Sequence, residues 1–335
     1  MKLRLLILML IIFIGFSSCV EEEKEPPKST PVSLILPDHF PPITFPNSNP
    51  LTKEKIELGR HLYYDQFLSE GGPLQGNSCS SCHHQTSSFS SINSVAVLAH
   101  VNMAWNTSFL WNGAVEGSLE EVMVFELADF FQVDLNYLKS SNKYKELFRT
   151  AFPTEEISIE KAAMAMASFS RTLLSSNSKF DQYLVGNVNL SASEQRGYEI
   201  FNSERGDCFH CHSSPLMTDL SFHNIGLETK FANHLGRFEV TGNTADVGSF
   251  KTPTLRNIAL TAPYMHDDRF KTLEEVIDHY DQGVLPSPVL DPIMTKPGKE
   301  TGLHLSNDEK MDLITFLLTL TDSTFISNPD LSNPW

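Results

Sequence analysis

The chain has 335 residues, 41% of them hydrophobic, and sets 25 basic side chains against 41 acidic ones for a formal charge of -16. That length accommodates two domains. The acidic balance excludes nucleic acid and an anionic lipid surface as electrostatic partners, and is compatible with a small basic protein.

Residues 1–18 open with Lys2 and Arg4, run apolar from Leu5 to Phe16 and end on Ser17 and Ser18, just before Cys19. A charged start, a short apolar core and small residues before a cysteine read as a lipoprotein signal peptide, with Cys19 carrying the lipid. The apolar run is short for a bilayer span. Cleavage removes Lys2 and Arg4, so -16 becomes -18. The expected location is the cell envelope, facing the periplasm, and Val20 followed by Glu21 to Glu23 favours the outer membrane. Residues 19–50 follow as a tether and arm, in which prolines at 26, 27, 31, 37, 41, 42, 46 and 50 deny helix and central strand. Leu34 to Leu36 and Phe40 are expected to pack part of it over the first domain.

Helix signals then bracket a motif that occurs twice. Leu51 to Tyr64 reads as a helix opened by Pro50 at a first-turn position, with Ile56, Leu58, Leu62 and Tyr63 as apolar contacts. Cys79-Ser80-Ser81-Cys82-His83 comes next, and Ser158 to Leu174 closes the half, with Ala162, Met166, Phe169 and Leu173 near one face. The order repeats: Ser191-Ala192-Ser193-Glu194 has capping-box spacing and opens a helix carrying Tyr198, Ile200 and Phe201, ahead of Cys208-Phe209-His210-Cys211-His212. Ser306-Asn307-Asp308-Glu309 opens the closing helix, to Leu320.

A bare Cys-X-X-Cys also serves zinc half-sites and redox dithiols. A histidine directly after the second cysteine, twice over, is what covalent haem requires: two thioether bonds to vinyl groups and a proximal iron ligand. The prediction is two haem c groups, attached through Cys79, Cys82, Cys208 and Cys211, with His83 and His212 on the irons. Only Cys19 lies outside the motifs, so no thiol remains for a disulfide. The expected fold class is mainly α, with strand signals sparse. It comprises two class I cytochrome c-like domains, 51–185 and 186–325, each with one haem, and a tail at 326–335.

The segments around the motifs resemble the bacterial di-haem cytochrome c peroxidase and MauG family. In the first half they are Glu57 to Asp65, Phe109-Leu110-Trp111-Asn112-Gly113, Ser118-Leu119-Glu120-Glu121, Arg171-Thr172-Leu173 and Phe180-Asp181. In the second they are Gly236 to Gly242, Lys251 to Asn257, Leu260 to Asp267, Thr272-Leu273-Glu274-Glu275 and His279-Tyr280. The resemblance covers roughly residues 50 to 322. It implies a division of labour: the first haem open to hydrogen peroxide, the second six-coordinate and storing or passing an electron.

For the second iron the residues offer Met265, Tyr280, Met217 and Met294, and spacing alone favours Met265. The resemblance points instead to Tyr280, with Met265 as the alternative. A phenolate favours higher oxidation states, whereas thioether sulfur raises the potential. For the first iron, family peroxidases often carry a displaceable histidine in the following loop. Here that loop holds only His100 and is short, so the open state is expected to be permanent, with His84 beside the ligand.

Trp111 matches the family tryptophan that relays charge between the haems. The family's distal glutamine and glutamate fall at Val122 and Gln132, and Gln132 cannot take a proton. Glu126 and Asp129, one turn apart on the same expected helix, are the nearby carboxylates that can replace it. The resemblance also implies a calcium ion on the carbonyls of Thr261 and Pro263. The matching asparagine position is Ala96, so Asn93 or Asn102 would have to substitute. Arg256 and Lys251 are expected partners for haem propionates.

Three readings follow. In the first, the protein reduces hydrogen peroxide with electrons from a small cytochrome c or cupredoxin. In the second, it oxidises a tyrosine or tryptophan on a partner protein, as MauG-like members do. In the third, Val122 and Gln132 leave a non-enzymatic electron-transfer cytochrome.

Overall fold

The computed structural model describes residues 28–92, 95–231, 234–295 and 302–335. The expected signal peptide, Cys19 and Asn93 lie outside them. The described chain is mainly helical, with α1 (Lys53–Tyr64), α2 (Cys79–Cys82), α3 (Leu119–Phe125), α4 (Leu135–Ser140), α5 (Asn142–Ala151) and α6 (Ile159–Ser170) in the first half. The linking α7 (Lys179–Leu184) leads to α8 (Ala192–Phe201), α9 (Phe238–Thr241), α10 (Leu273–Asp278), α11 (Asn307–Leu318) and α12 (Ser323–Ile326). Strands are confined to two antiparallel two-residue pairs: β1 (Ser108–Phe109) with β2 (Val115–Glu116), and β3 (Phe222–His223) with β4 (Phe250–Lys251). Among the described residues no helix is long and apolar enough to cross a membrane.

Each half is built on one close helix crossing, and each crossing turns on a glycine. A Cβ added at Gly59 of α1 would stand 2.0 Å from the Ala165 carbonyl oxygen of α6; one at Gly197 of α8 would stand 2.0 Å from that of Asp312 in α11. The apolar stripes then meet. Leu58 and Leu62 join Ala162, Ala163 and Met166 in one core, while Phe201 joins Leu313, Phe316 and Leu317 in the other.

The caps follow the sequence with one difference. Ser158, Ser191 and Ser306 each cap as expected, with Ser191 and Glu194 reciprocally bonded. The first helix begins later than expected: Thr52, not Pro50, caps α1, accepting the Lys55 amide. Pro50 stays outside, and its carbonyl accepts from the Lys55 ammonium instead.

The proline-rich arm crosses both halves. Val32 and Lys53 amides bond to Leu51 and Thr30 carbonyls at 3.0 and 2.9 Å around a Pro31–Thr52 bridge. Phe40 is buried against Trp105, whose indole N–H donates to the Pro41 carbonyl at 3.1 Å. Buried Asn49 donates to Glu120 and to the Met164 carbonyl, so the arm ends by pinning α3 to α6.

Candidate haem sites

The two motif histidines are held alike. His83 donates its Nδ1–H to the Phe89 carbonyl at 2.9 Å, and His212 donates its own to that of Met217 at 3.1 Å. The backbone at Phe89 and Met217 is left-handed, with φ of 55° and 56°, which turns each carbonyl back toward its histidine. A ring held through Nδ1 keeps Nε2 for a metal. Burial pushes both histidines down to about 4, the carbonyl bonds opposing it, so both stay neutral as iron ligands must. None of the four motif cysteines is in a disulfide.

The second motif opens on a cavity of about 500 Å³ lined by Cys208, Cys211, His212, Tyr280, Met265 and Met294. It is largely apolar in its lining, as a porphyrin face requires. Its wall also carries Lys251, His223 and His266. Burial lowers the Lys251 ammonium to about 8, and its Nζ bonds Ser108 and the Leu220 carbonyl. His266 lies stacked on Phe250 at 3.5 Å, and its buried Nε2 has no partner. His223 is clamped between Asp219 at 2.8 Å and Asp291 at 2.6 Å, whose carboxylates push it up to about 12 and hold it as a fixed cation. Free thiol chemistry, neutral histidines, an apolar slot and an orphaned buried donor fit covalent haem with propionates at the rim.

The other expected ligands separate clearly. Tyr280 is half-buried near Cys211 and Cys208, and desolvation followed by their charge pushes its phenol well up. Met217 serves the second motif through its carbonyl on the histidine side. Arg256, expected at a propionate, is instead wholly buried in a bidentate pair with Asp181 at 2.9 and 2.8 Å. Lys251 remains at the cavity.

At the first motif, His100 is not set opposite His83. The two rings are stacked with centroids 3.5 Å apart and planes 15° from parallel, and His100 Nδ1 is hydrogen-bonded to the Tyr63 hydroxyl at 3.0 Å. Two histidines ligating one iron from opposite faces cannot stack on each other. Glu126 lies near the motif cysteines: half-buried, pushed by desolvation up to about 7, and close enough to raise the thiols of Cys79 and Cys82. Gln132 and Asp129 are exposed, and the Gln132 amide reaches only the Asp129 carbonyl.

Glu126 and Tyr280 occupy matching positions in the two halves. Each lies eight residues beyond the cap of a helix that starts with Leu-Glu-Glu, 118 to 126 and 272 to 280, and each helix passes there into a π-helical turn, Glu126–Phe130 and His279–Gly283. Such turns widen a helix locally and recur at functional positions. The register was present in the sequence; the π turns were not.

Trp111 lines both the second cavity and a smaller one of about 80 Å³ between the halves. Its indole N–H donates to the Ala96 carbonyl at 3.1 Å, and its carbonyl accepts the Lys251 amide at 2.8 Å, so it is wedged across the junction. Thr261 and Pro263 line the smaller cavity. The Asn102 side chain is committed elsewhere, to Ser175.

Residues 53–189 match the family model described as di-haem cytochrome c peroxidase. The chain is 37% identical to the methylamine utilization protein MauG of Methylorubrum extorquens, over 83% of this chain and 81% of that one. It is 30% identical to the cytochrome c551 peroxidase of Nitrosomonas europaea, over 85% and 84%. Among solved structures it superposes on a MauG-like protein associated with microbial copper homeostasis with a TM-score of 0.82 and 32% identity, over 91% of this chain and 99% of that one. The chain belongs to the di-haem cytochrome c peroxidase and MauG family.

Proposed function

We propose that the protein reduces hydrogen peroxide at the first site and draws the electrons, through the second, from a small cytochrome c or cupredoxin. On this reading residues 51–185 and 186–325 are two class I cytochrome c-like domains. Haem on the two motifs supplies one open iron for peroxide and a second that stores or passes an electron. The observation that carries the reading is the matched pair Glu126 and Tyr280: the same helix position bears a half-buried acid in one half and a ligand-competent phenol in the other. That asymmetry supports an open first site and a closed second one, with Met265 as the alternative ligand.

The chain's own residues divide the work. Glu126, as carboxylate, takes a proton from one peroxide oxygen and returns it to the other as water leaves. His83 and His212 are oriented by the Phe89 and Met217 carbonyls. Lys251 and His266 hold propionates, His223 adds a fixed positive charge beside the second haem, and Trp111 offers an oxidisable ring between the halves. Half-buried Glu126, its carboxyl pushed up by desolvation near the motif cysteines, favours proton transfer over mere electron carriage.

Tyr280 and the similarity to MauG favour a second reading, in which a tyrosine or tryptophan of a partner protein is the electron source. The calcium reading has weaker support: Thr261 and Pro263 share a cavity, but Asn102 is engaged elsewhere. A lipid on Cys19 would tether the protein at the periplasmic side of the envelope. The test is peroxide added to diferric protein with and without reduced cytochrome c. Rapid cytochrome oxidation supports the first reading, a long-lived oxidised state with little turnover the second, and no reaction refutes both. Tyr280→Phe should abolish the six-coordinate spectrum of the second haem; an unchanged spectrum assigns the ligand to Met265.

A further inference from the structure

The end of the chain is built into the first half, not the second that precedes it. Phe325 and Leu331 are buried in one cluster with Tyr63, Phe89, Phe169 and Leu173, beneath the first motif. We propose that residues 325–335 form a clasp that fixes the proximal ligand of the first haem, with Gln85 as the positioning residue that engages it. The proposal rests on the haem reading of His83.

The loop from His83 to Ser90 needs holding. Its carbonyl at Phe89 must face His83, which requires left-handed backbone at both Ser88 and Phe89, φ 57° and 55°, in residues that carry a Cβ. Such a conformation persists where the surroundings enforce it. Within the loop, His84 donates to the Ser90 carbonyl at 2.9 Å and Phe89 to that of His84 at 2.8 Å. From the same half, the His100 amide donates to the Phe89 carbonyl at 3.0 Å. The chain end holds the loop at Gln85 and on the Phe89 ring. Gln85, two residues from the ligand, donates its Nε2 to the Asn328 carbonyl at 2.8 Å, and its Oε1 accepts the Ser332 hydroxyl at 3.0 Å. Phe325 packs on Phe89 with ring centroids 5.4 Å apart. The clasp is itself tied to α1: Arg60 donates to the carbonyls of Pro329 and Asp330, Tyr64 to that of Leu331 at 2.7 Å, and Trp335 lies edge-on to His61 at 4.9 Å.

Among the described residues, the second half holds its loop without any segment from the other half. There the loop from His212 to Met217 is held by its own half: Leu255 donates to the Met217 carbonyl at 3.1 Å, Thr254 to Leu216 at 2.7 Å and Arg256 to Pro215 at 2.8 Å. In the first half the His100 amide takes the place of Leu255 on the Phe89 carbonyl, and a segment from more than two hundred residues downstream adds the contacts at Gln85 and on the Phe89 ring.

Two variants test this: a chain ending at Ser327, and Gln85→Ala in the full chain. Intact mass shows whether both haems are attached; loss of haem from the full chain itself would refute the haem reading and leaves the geometry of the clasp untouched. With both haems present, electron paramagnetic resonance and potentiometric titration read each haem separately. The expected result is that the first haem's ferric signal splits or broadens and its midpoint potential shifts while the second haem is unchanged, most strongly in the truncated chain. An unchanged first haem in Gln85→Ala overturns the proposal even if the truncated chain does not fold, and so does an equal change at both haems.

Discussion

At the scale of single residues, Glu126 shows how a local rule and a distant neighbour combine. Its carboxyl is held up to about 7 by desolvation alone, with no cation to hold it down. A Glu whose folded value lies above its unfolded one is unpenalised in the acid range and costs stability as pH rises through about 7, because the charge must then be buried. On the proposed mechanism catalysis needs that same carboxylate, since the neutral acid has no site for the first peroxide proton. The expected outcome is opposed signs. The peroxide reaction of the native protein rises with pH through about 7; Glu126→Gln flattens that profile, lowers the rate by roughly 10²–10⁴-fold, and raises thermal stability above pH 7. A substitution that lowers rate and stability together would make Glu126 structural. The carboxylate was a candidate on sequence grounds, as one of two acids near Gln132 on the same expected helix, but its place near Cys79 was not legible, since a helical pattern set it on one face with Asp129. The π turn separates them, leaving Asp129 in solvent. His223 gave no local signal at all: one of its two carboxylates, Asp291, is 68 positions away.

At the scale of elements, the helices and their caps were readable because they are local. Ser-X-X-Glu at 191 and 306, and apolar spacing through α1, α6, α8 and α11, decide those helices before any tertiary contact forms. The crossings were not readable as crossings, because a glycine in a helix carries no sign of what approaches it. Two opposed effects meet at Gly197. Helix propensity favours Gly197→Ala by about 1 kcal/mol, but the added methyl would stand 2.0 Å from a backbone carbonyl of α11, where no side chain can swing away. Backbone displacement in a packed core costs roughly 1–3 kcal/mol or more, so the clash prevails. A fall of several degrees in the unfolding midpoint is expected for Gly197→Ala, and the same for Gly59→Ala; a rise in either would mean that the helices slide freely.

At the scale of the whole molecule, the halves are joined by a buried charge pair that sequence reading assigned elsewhere. Arg256 is wholly enclosed, bidentate on Asp181 of α7, with its guanidinium over the Phe40 ring at 4.6 Å and with His39 on the same carboxylate at 3.2 Å. Arm, linker and second half thus converge on one ion pair, and only the fold could bring positions 39, 181 and 256 together. Burial pushes the Asp181 carboxyl up, but Arg256 and the Ser178 hydroxyl and amide outweigh it and hold it below its ordinary value. That depressed value means stability that is present above the unfolded carboxylate range, near 3.9, and is lost as pH falls through the lower folded one. Asp181→Asn leaves a guanidinium buried without its counter-charge, a loss of about 3–5 kcal/mol when one partner of such a pair is removed. Because Phe40 rests on that guanidinium, the arm should loosen as well. Limited proteolysis of Asp181→Asn is expected to cut between residues 28 and 50 well before native protein is cut there, with the acid-induced part of the native stability profile missing. Equal protection of the arm in both proteins would show that the ion pair closes the junction without holding the arm to it.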